Sequence, residues 1–442
     1  MKTKNRIISL LILLALLFSL SLTLTSCFAK NAGSKEVFSK EQLTENINAE
    51  KKTNRTYVWQ YLDEWEFPSF DGSKFKQIET LYHKHYYKAD EIPSSYEIAK
   101  TIALNFLEST YDSIDLESSQ KVTDAFLDAY VLAIGDKYSF YRTNEQYNDY
   151  TSNMSGTYYG IGVTVRATED GTGILVLEPM RNSPAEKAGV IKDDIIIAVD
   201  GVKVAKVGFD KSVENVKGKS GTTVVLTVIR GESELDISVV RGPVVELTVD
   251  RWVEGEVGYI DINSFKANTD ELFIEAVDYV IENGAKAIIY DVRSNGGGYL
   301  DTVVNMLDYI ANDGTTLASF SNDYDKPEKA KDGHSLSIPT VILCNGASAS
   351  ASELFTSGMR DISQMQGFEL TIVGQTTYGK FVMQNTYTLA DGSAITMTVA
   401  YYYSPKGKEY NGVGIAPDVE IKGDENQYNR AFLEAKNFIA NK

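Results

Sequence analysis

Hydrophobic and polar positions repeat with different periods in successive parts of the chain. In residues 96–107 and 122–131, apolar residues recur every three or four positions, which predicts two amphipathic helices. Between about residues 158 and 242 the period becomes two, in short runs such as residues 162–166 and 224–229, which predicts strands. From residue 244 onward, apolar runs alternate with helical stretches, which predicts a largely parallel sheet with its ligands at the strand ends.

Three loops follow strand-like runs in this last part of the chain. Residues 293–298 (Arg-Ser-Asn-Gly-Gly-Gly) follow the run 287–292, and a helix is predicted from Tyr299 to about Ile310. Residues 345–353 (Asn-Gly-Ala-Ser-Ala-Ser-Ala-Ser-Glu) follow the run 340–344 and precede a helical stretch. Residues 374–380 follow the run 370–373, and a hairpin is predicted over 386–399 with its turn at residues 391–392.

The serines of the second loop allow two interpretations. Ser350 and Glu353 fit a capping box, in which the serine side chain bonds the amide of Glu353 and the glutamate reaches back. Alternatively Ser350 is a nucleophile at a helix start, with the Ala351 amide as oxyanion donor and a second donor from the backbone of the triple-glycine loop. The residues alone leave both interpretations open.

The N-terminus and the overall charge limit where the protein works and what it binds. Lys2, Lys4 and Arg6 precede an apolar run over residues 7–24, the layout of a secretory signal. Residues 24–27 (Leu-Thr-Ser-Cys) resemble the lipobox of bacterial lipoproteins, which implies lipidation of Cys27 and a membrane-anchored protein outside the bacterial cytoplasmic membrane. A formal net charge of −18 argues against a nucleic-acid partner. His83 and His85 are two residues apart without a third ligand nearby, so no metal or other cofactor is predicted.

The strand-rich region from about residue 156 to 242 resembles a PDZ domain. Residues 183–189 have a helix start at Ser183, a proline at the first helical position and a glycine stop. Residues 159–162 stand where PDZ domains hold a peptide's terminal carboxylate on backbone amides. The peptide-binding residues implied by the resemblance are Tyr159, Gly160, Ile161 and Gly162. The flanking apolar residues predict a preference for apolar, uncharged tails.

Four further stretches are similar, in order, to the signatures of carboxyl-terminal processing peptidases: residues 291–298, 345–353, 373–380 and 412–418. Residues 136–147 also resemble the segment that precedes the PDZ domain in these serine proteases. By position the resemblance implies a Ser350 nucleophile, a Lys380 base and Gln384 orienting the lysine, with Asp361 as supporting structure. The oxyanion donors are then Gly297 and Ala351. Gly296 departs from the family pattern, because proline is expected there.

A lysine base requires a lowered pKa. At its ordinary value near 10.4, only about one lysine in two thousand is neutral at pH 7. Burial lowers the pKa of an ammonium group, and the apolar residues 381–383 beside Lys380 fit such a setting. Serine–lysine dyads are an established variant of the serine protease theme.

The complete prediction is an α+β multidomain serine endopeptidase that recognises the C-terminal tails of exported proteins. Its core is α/β (crotonase-like, ClpP-like), and a homo-oligomer is compatible with the sequence. A non-catalytic peptide-binding protein and a crotonase-like thioester enzyme are the alternatives. The predicted segments are a signal peptide (1–27), a tether (28–55), a helical N-terminal domain (56–155), the PDZ domain (156–242), the protease core (243–425) and a C-terminal helix (426–442).

Overall fold

A computed structural model describes residues 72–92, 119–180, 182–321 and 326–441. It divides into two compact units, the first formed by residues 1–148 and 286–442 and the second by residues 149–285. The signal peptide, the lipobox, the tether and the predicted helix at 96–107 lie outside the described residues.

The elements are numbered in chain order. The helices of the described residues are α1 (Gly72–His85), α2 (Ser119–Ala133), α3 (Asn144–Met154), α4 (Pro184–Lys187), α5 (Val204–Val207), α6 (Phe209–Val216), α7 (Thr269–Glu282), α8 (Leu300–Ile310), α9 (Ala351–Gln366) and α10 (Asp424–Ala440). The strands are β1 (Phe140–Arg142), β2 (Thr157–Gly160), β3 (Val163–Ala167), β4 (Ile174–Pro179), β5 (Ile195–Val199), β6 (Val202–Lys203), β7 (Thr223–Arg230), β8 (Ser233–Val240), β9 (Gly242–Val245), β10 (Val249–Glu254), β11 (Val257–Ile262), β12 (Ala287–Asp291), β13 (Thr316–Phe320), β14 (Glu328–Lys329), β15 (Thr340–Cys344), β16 (Leu370–Gly374), β17 (Val382–Thr388), β18 (Ala394–Tyr403) and β19 (Val419–Glu420).

Parallel strands β12, β15, β16 and β19 lie side by side in the first unit. Every residue of β12 and β15 is buried, as expected for strands covered on both faces. Helix α10 packs against β12, β15 and β16, and helices α8 and α9 pack against each other. The predicted parallel α/β arrangement is confirmed. Because the strands are parallel, the loops after β12, β15 and β16 all leave the same edge of the sheet.

A second sheet of the first unit is built around β18. Strand β17 forms the predicted hairpin with β18 through the turn at residues 391–392, and β1 and β13 also pair with β18. Helices α1 and α2 cover the apolar side of this hairpin, so Phe75, Phe126 and Tyr130 share one hydrophobic cluster with Ile395 and Met397. The described helices α1 and α2 therefore pack within the first unit. Strand β1 and its pairing with β18 through residues 140–142 were not predicted from the sequence.

A buried lysine strengthens this packing of the N-terminal helices. Lys74 is only 5% exposed, and its ammonium group contacts Asp124 (3.0 Å), Asp391 (2.7 Å) and the Tyr141 hydroxyl (2.5 Å). These partners come from α2, the hairpin turn and β1. One charged group thus joins four segments that are distant in sequence.

The second unit contains the predicted β-rich module. An antiparallel sheet runs in the order β3-β4-β5-β7-β8 with β3 at one edge, and β2 pairs with β9. Helix α4 begins as predicted: the Glu186 amide donates to Ser183 Oγ (3.2 Å), and Pro184 occupies the first turn. The hairpin β10–β11 and helix α7, which follow the predicted PDZ region, also belong to this unit.

Within the described ranges, no helix combines the length and apolar character needed to cross a lipid bilayer.

Candidate active site

The glycine loop after β12 and the serine loop after β15 are joined by hydrogen bonds. The Ala349 amide donates to the Asn295 carbonyl (3.0 Å), and Ser352 Oγ donates to the same oxygen (2.7 Å). Ser348 Oγ donates to the Val292 carbonyl (2.7 Å). Two of the three alternating serines are therefore bonded to the neighbouring loop through their side chains, which leaves Ser350 as the serine with a different role.

Ser350 has an unusual backbone conformation. Its φ of 57° and ψ of −115° lie outside the regions that non-glycine residues ordinarily occupy. Such a conformation costs about 1–3 kcal/mol and is found most often at functional sites. It occurs at the turn between buried strand β15 and helix α9, so Ser350 is placed at the helix N-terminus.

Glu353 connects the serine loop with the lysine loop. The Glu353 amide donates to the Ser350 carbonyl (2.8 Å) and not to its side chain, so only the reciprocal half of the predicted capping box is formed: the Ser350 amide donates to Glu353 Oε2 (2.9 Å). The same oxygen accepts the amide of Lys380 (2.7 Å), while Oε1 accepts the Gly379 amide (2.7 Å) and Thr377 Oγ1 (2.5 Å). The carboxylate is fully buried. The cap and the active-site interpretation are therefore compatible, because the capping carboxylate itself holds the lysine loop against Ser350.

Lys380 lies in a partly buried, aromatic environment. Its Nζ is 4.5 Å from the ring centroid of Tyr138, which the Asp136 carboxylate helps to place by accepting the Tyr138 amide (3.1 Å). Burial lowers the pKa of Lys380 to about 8; Asp136 and Glu353 oppose this effect and Lys137 adds to it. At that value, about one lysine in ten is neutral at pH 7.

Buried Tyr402 binds the Lys380 backbone close to the serine loop. Its hydroxyl donates to the Lys380 carbonyl (2.7 Å), and burial raises the pKa of that hydroxyl well above its usual range. Among the described residues, Lys380 Nζ makes no hydrogen bond to Ser350 Oγ or to Gln384.

Gln384 and Asp361 have structural contacts. The Gln384 amide group donates to the Val382 carbonyl (3.1 Å) and to Thr398 Oγ1 (3.3 Å). Fully buried Asp361 accepts Ser404 Oγ (2.6 Å) and the Lys406 amide (3.0 Å) on one oxygen. Asp361 thereby holds the segment after β18 against α9, in line with the supporting role that the sequence suggested.

The two predicted oxyanion donors are close to each other. A Cβ built on Gly297 would lie 3.1 Å from the Ala351 nitrogen and 2.9 Å from Ser350 Cβ, and Gly297 has a φ of +105°. The Gly297 amide donates to Asn295 Oδ1 (2.9 Å) in this structure, whereas the Ala351 amide has no acceptor among the described residues. At Gly296, where proline was expected, a Cβ would meet nothing within 4 Å. The tight contact with the serine therefore falls on Gly297 and not on Gly296.

The predicted peptide-binding residues of the second unit have different surroundings. Tyr159 and Gly160 belong to β2 and pair with β9, and the Tyr159 side chain is 56% exposed. The Ile161 side chain is buried in the core of the unit. Gly162 has a φ of +73°, and a Cβ there would meet Ser183 Cβ at 2.5 Å. This loop leads directly into edge strand β3.

Four residues have contacts at the site that were not predicted from the sequence: Glu353, Tyr138, Lys137 and Tyr402. Glu353 was visible only as a capping residue, and Lys137 and Tyr138 only as part of the segment 136–147. No signal pointed to Tyr402, whose contact with the site depends on how β18 packs.

The one cysteine of the described residues lies close to the serine loop, but the chemistry of a Ser350 nucleophile does not involve it. Cys344, at the end of β15, is buried and unpaired, and burial raises the pKa of its thiol to about 12. In the part of the chain that the structure describes, no group of three or more His, Cys, Asp or Glu residues could hold a metal ion.

A strained serine at a helix N-terminus, an adjacent glycine loop and a PDZ-like module define a serine peptidase with a PDZ domain. The model of peptidase family S41 matches residues 256–421, and the PDZ domain model matches residues 151–229. The chain belongs to the CtpA-like serine proteases of peptidase family S41.

Relatives and solved structures of this family resemble the chain over most of its length. A probable CtpA-like serine protease of Staphylococcus aureus (strain N315) is 34% identical over 344 residues, covering 76% of this chain and 68% of the relative. The corresponding protein of Staphylococcus epidermidis is 35% identical over 309 residues, covering 69% and 62%. A putative S41 protease from Bacteroides fragilis is similar in fold, with a TM-score of 0.50 and 17% identity over 80% of this chain and 91% of that one.

Proposed function

We propose that the protein cleaves peptide bonds with Ser350 as the nucleophile and Lys380 as the general base. The observation that carries this proposal is the buried Glu353 carboxylate, one oxygen of which binds the backbone amides of both residues. The lysine loop is thereby held beside the serine loop. The lowered pKa of Lys380, about 8, supports its use as a base near neutral pH.

The proposed reaction has two halves. Neutral Lys380 takes the proton of Ser350 Oγ as the oxygen attacks the peptide carbonyl, and the resulting ammonium group returns the proton to the departing amine. Water then attacks the acyl-enzyme, with Lys380 again accepting a proton, and Ser350 Oγ–H is restored. The Ala351 amide and the helix N-terminus stabilise the oxyanion, and the Gly297 amide joins them once it leaves Asn295.

We expect the side chains of this site to change position when substrate binds. In the structure Lys380 Nζ lies over the Tyr138 ring. We expect Lys380 to turn from Tyr138 toward Ser350 in the complex, where Gln384 becomes available to orient it. The backbones of both residues are already held together through Glu353, so this change involves the side chains.

The test compares the three alternating serines. Ser350→Ala and Lys380→Ala should each abolish cleavage of an unfolded peptide substrate while thermal unfolding stays near that of the parent. Ser348→Ala and Ser352→Ala are matched controls, since both hydroxyls bond backbone carbonyls; these variants should lose stability but keep the nucleophile. Full proteolysis by the Ser350 or the Lys380 variant would refute the dyad.

We propose further that the PDZ domain delivers substrate tails. Edge strand β3 is available for an added strand, and the loop at residues 161–162 precedes it as the carboxylate site requires. Exposed Tyr159 supports binding of apolar tails. Peptides with a free, apolar C-terminus should be cleaved faster than the same peptides with an amidated C-terminus. Equal rates would count against capture of the carboxylate.

Export and lipid anchoring through Cys27 are the third part of the proposal. It is supported by the basic start, the apolar run and the lipobox-like residues 24–27. Cys27→Ala should release the protein from membranes and abolish metabolic labelling with a fatty acid. Unchanged membrane retention of this variant would contradict the anchor.

A further inference from the structure

Two lysine side chains contact the same tyrosine ring at the site. Lys380 Nζ is 4.5 Å from the centroid of the Tyr138 ring, and Lys137 Nζ is 4.6 Å from the same centroid. Because both ammonium groups lie close to this one ring, each charge affects the other. Lys137 is adjacent to Tyr138 in sequence and lies far from Lys380 along the chain.

Contacts with two tyrosines hold the Lys137 ammonium group in this position. Its Nζ donates to the Tyr378 hydroxyl (2.9 Å) and is 4.8 Å from the centroid of that ring. Tyr378 is two residues before Lys380, and its own amide is fixed by the Ser348 carbonyl (3.0 Å). Burial alone would lower the pKa of Lys137, but the hydrogen bonds to the tyrosines outweigh it and raise the pKa. Lys137 therefore remains charged over the pH range in which Lys380 loses its proton.

We propose that Lys137 is a positioning residue of the active site whose fixed positive charge favours the neutral form of Lys380. The proposal rests on the proposed function of Lys380 as the base. A like charge beside an ammonium group disfavours its protonated form. Lys137 thus counteracts the carboxylates of the site, which favour the protonated form.

The other groups facing Lys380 determine the size of this effect. Asp136 and Glu353 are the carboxylates, and Asp136 acts on the pKa of Lys380 more strongly than Lys137 does. The titratable tyrosines around Lys380 are Tyr138, Tyr378 and Tyr402. Burial raises the pKa of Tyr138 and of Tyr402, so both hydroxyls stay neutral where the lysine titrates. Lys137 is the only additional cation that acts on Lys380 among the described residues.

The experiment measures the titration of Lys380 directly. In the full chain carrying Ser350→Ala, trace acetylation with acetic anhydride is followed from pH 6 to 11 by mass spectrometry of the peptide that contains Lys380. Lys137→Met should move the midpoint upward by about 0.3–1 pH unit, the range expected for one charge at this distance in partly hydrated surroundings. Lys137→Arg, which keeps the charge, should leave the midpoint near that of the parent.

Lys436 provides the matched control, because it is exposed and lies near an aromatic ring, as Lys137 does. Lys436 is exposed and its Nζ is 5.9 Å from the Phe432 ring centroid, but it does not act on Lys380. Lys436→Met should leave the midpoint unchanged. In the active enzyme, Lys137→Met should move the acid limb of the pH profile of kcat/KM to higher pH by the same amount. On the acid side of the profile, kcat/KM should then be two- to tenfold lower than in the parent. High salt should reduce the shift, because Lys137 is exposed.

The outcomes separate this inference from the proposed function. An unmoved midpoint in Lys137→Met, or an equal shift in Lys137→Arg, would overturn the role of the charge even if Lys380→Ala is inactive. Proteolysis by Lys380→Ala would refute the role of Lys380 as the general base, whether or not the titration midpoint of Lys380 moves in Lys137→Met. Should Lys137→Met fail to fold, Lys137→Gln with the same labelling decides the question.

Discussion

Glu353→Gln is the sharpest test of how the two loops are held together. Each carboxylate oxygen of Glu353 accepts two donors, so an amide nitrogen in place of either oxygen would face two N–H or O–H groups. A hydrogen bond to a charged group contributes about 1.5–3 kcal/mol, so losing two of them costs about 3–6 kcal/mol. Solvent does not reduce this value, because Glu353 is fully buried.

The assay combines urea unfolding with steady-state kinetics. We expect a loss of stability in that range and a fall in kcat/KM of about 100-fold or more, since the lysine loop loses its anchor beside Ser350. Glu434→Gln is the control: this carboxylate pairs with Arg430 one helical turn away (2.6 Å), and its loss should cost about 0.5 kcal/mol or less. A Glu353→Gln enzyme within about 1 kcal/mol and threefold of the parent would refute the reasoning.

Three further predictions concern the glycine loop and the N-terminal helices. Gly297→Ala should reduce kcat/KM for a peptide substrate at least 100-fold, because the new Cβ would approach Ser350 Cβ to 2.9 Å at a φ of +105°. Gly296→Ala is the control: a Cβ there meets open space, so its kcat/KM should stay within about twofold of the parent value. Lys74→Met should lower the free energy of unfolding by about 1–3 kcal/mol in urea titrations, because the buried ammonium group loses its bonds to the half-buried Asp124 and the more exposed Asp391; a loss below about 0.5 kcal/mol would contradict the network. Burial alone would raise the pKa of Asp391, but its hydrogen bonds to Lys74 and Ser393 outweigh this and lower it to about 2. This group therefore stabilises the fold above about pH 4, and we expect that stability to be lost as the pH falls toward 2, with a smaller acid dependence in Lys74→Met.

The parallel core was readable from the sequence because its signals are local. Strand β12 and helix α8 show the periods of a fully buried strand and an amphipathic helix, and the three loops follow runs that must end at one edge of a parallel sheet. The bond between the Ser350 amide and Glu353 was likewise visible as part of a short motif.

Other features depend on contacts between residues that are distant in sequence. The period of residues 122–131 predicts a helix, but it does not indicate that the apolar face of α2 covers the β17–β18 hairpin. The loop motif at residues 159–162 likewise does not indicate that the Ile161 side chain fills the core of the second unit. A short motif specifies which residue stands at a position, but not which direction its side chain faces after packing.

The sequence by itself determined the period of each element, the order of the loops and the candidate reacting residues Ser350 and Lys380. Only the tertiary structure decided what surrounds them: a shared carboxylate at Glu353, a tyrosine ring over the lysine and a second cation at Lys137. The physical reason is that periodicity arises from neighbours one turn or one pleat away. The pKa of a partly buried lysine arises instead from burial and from charges that folding brings near it.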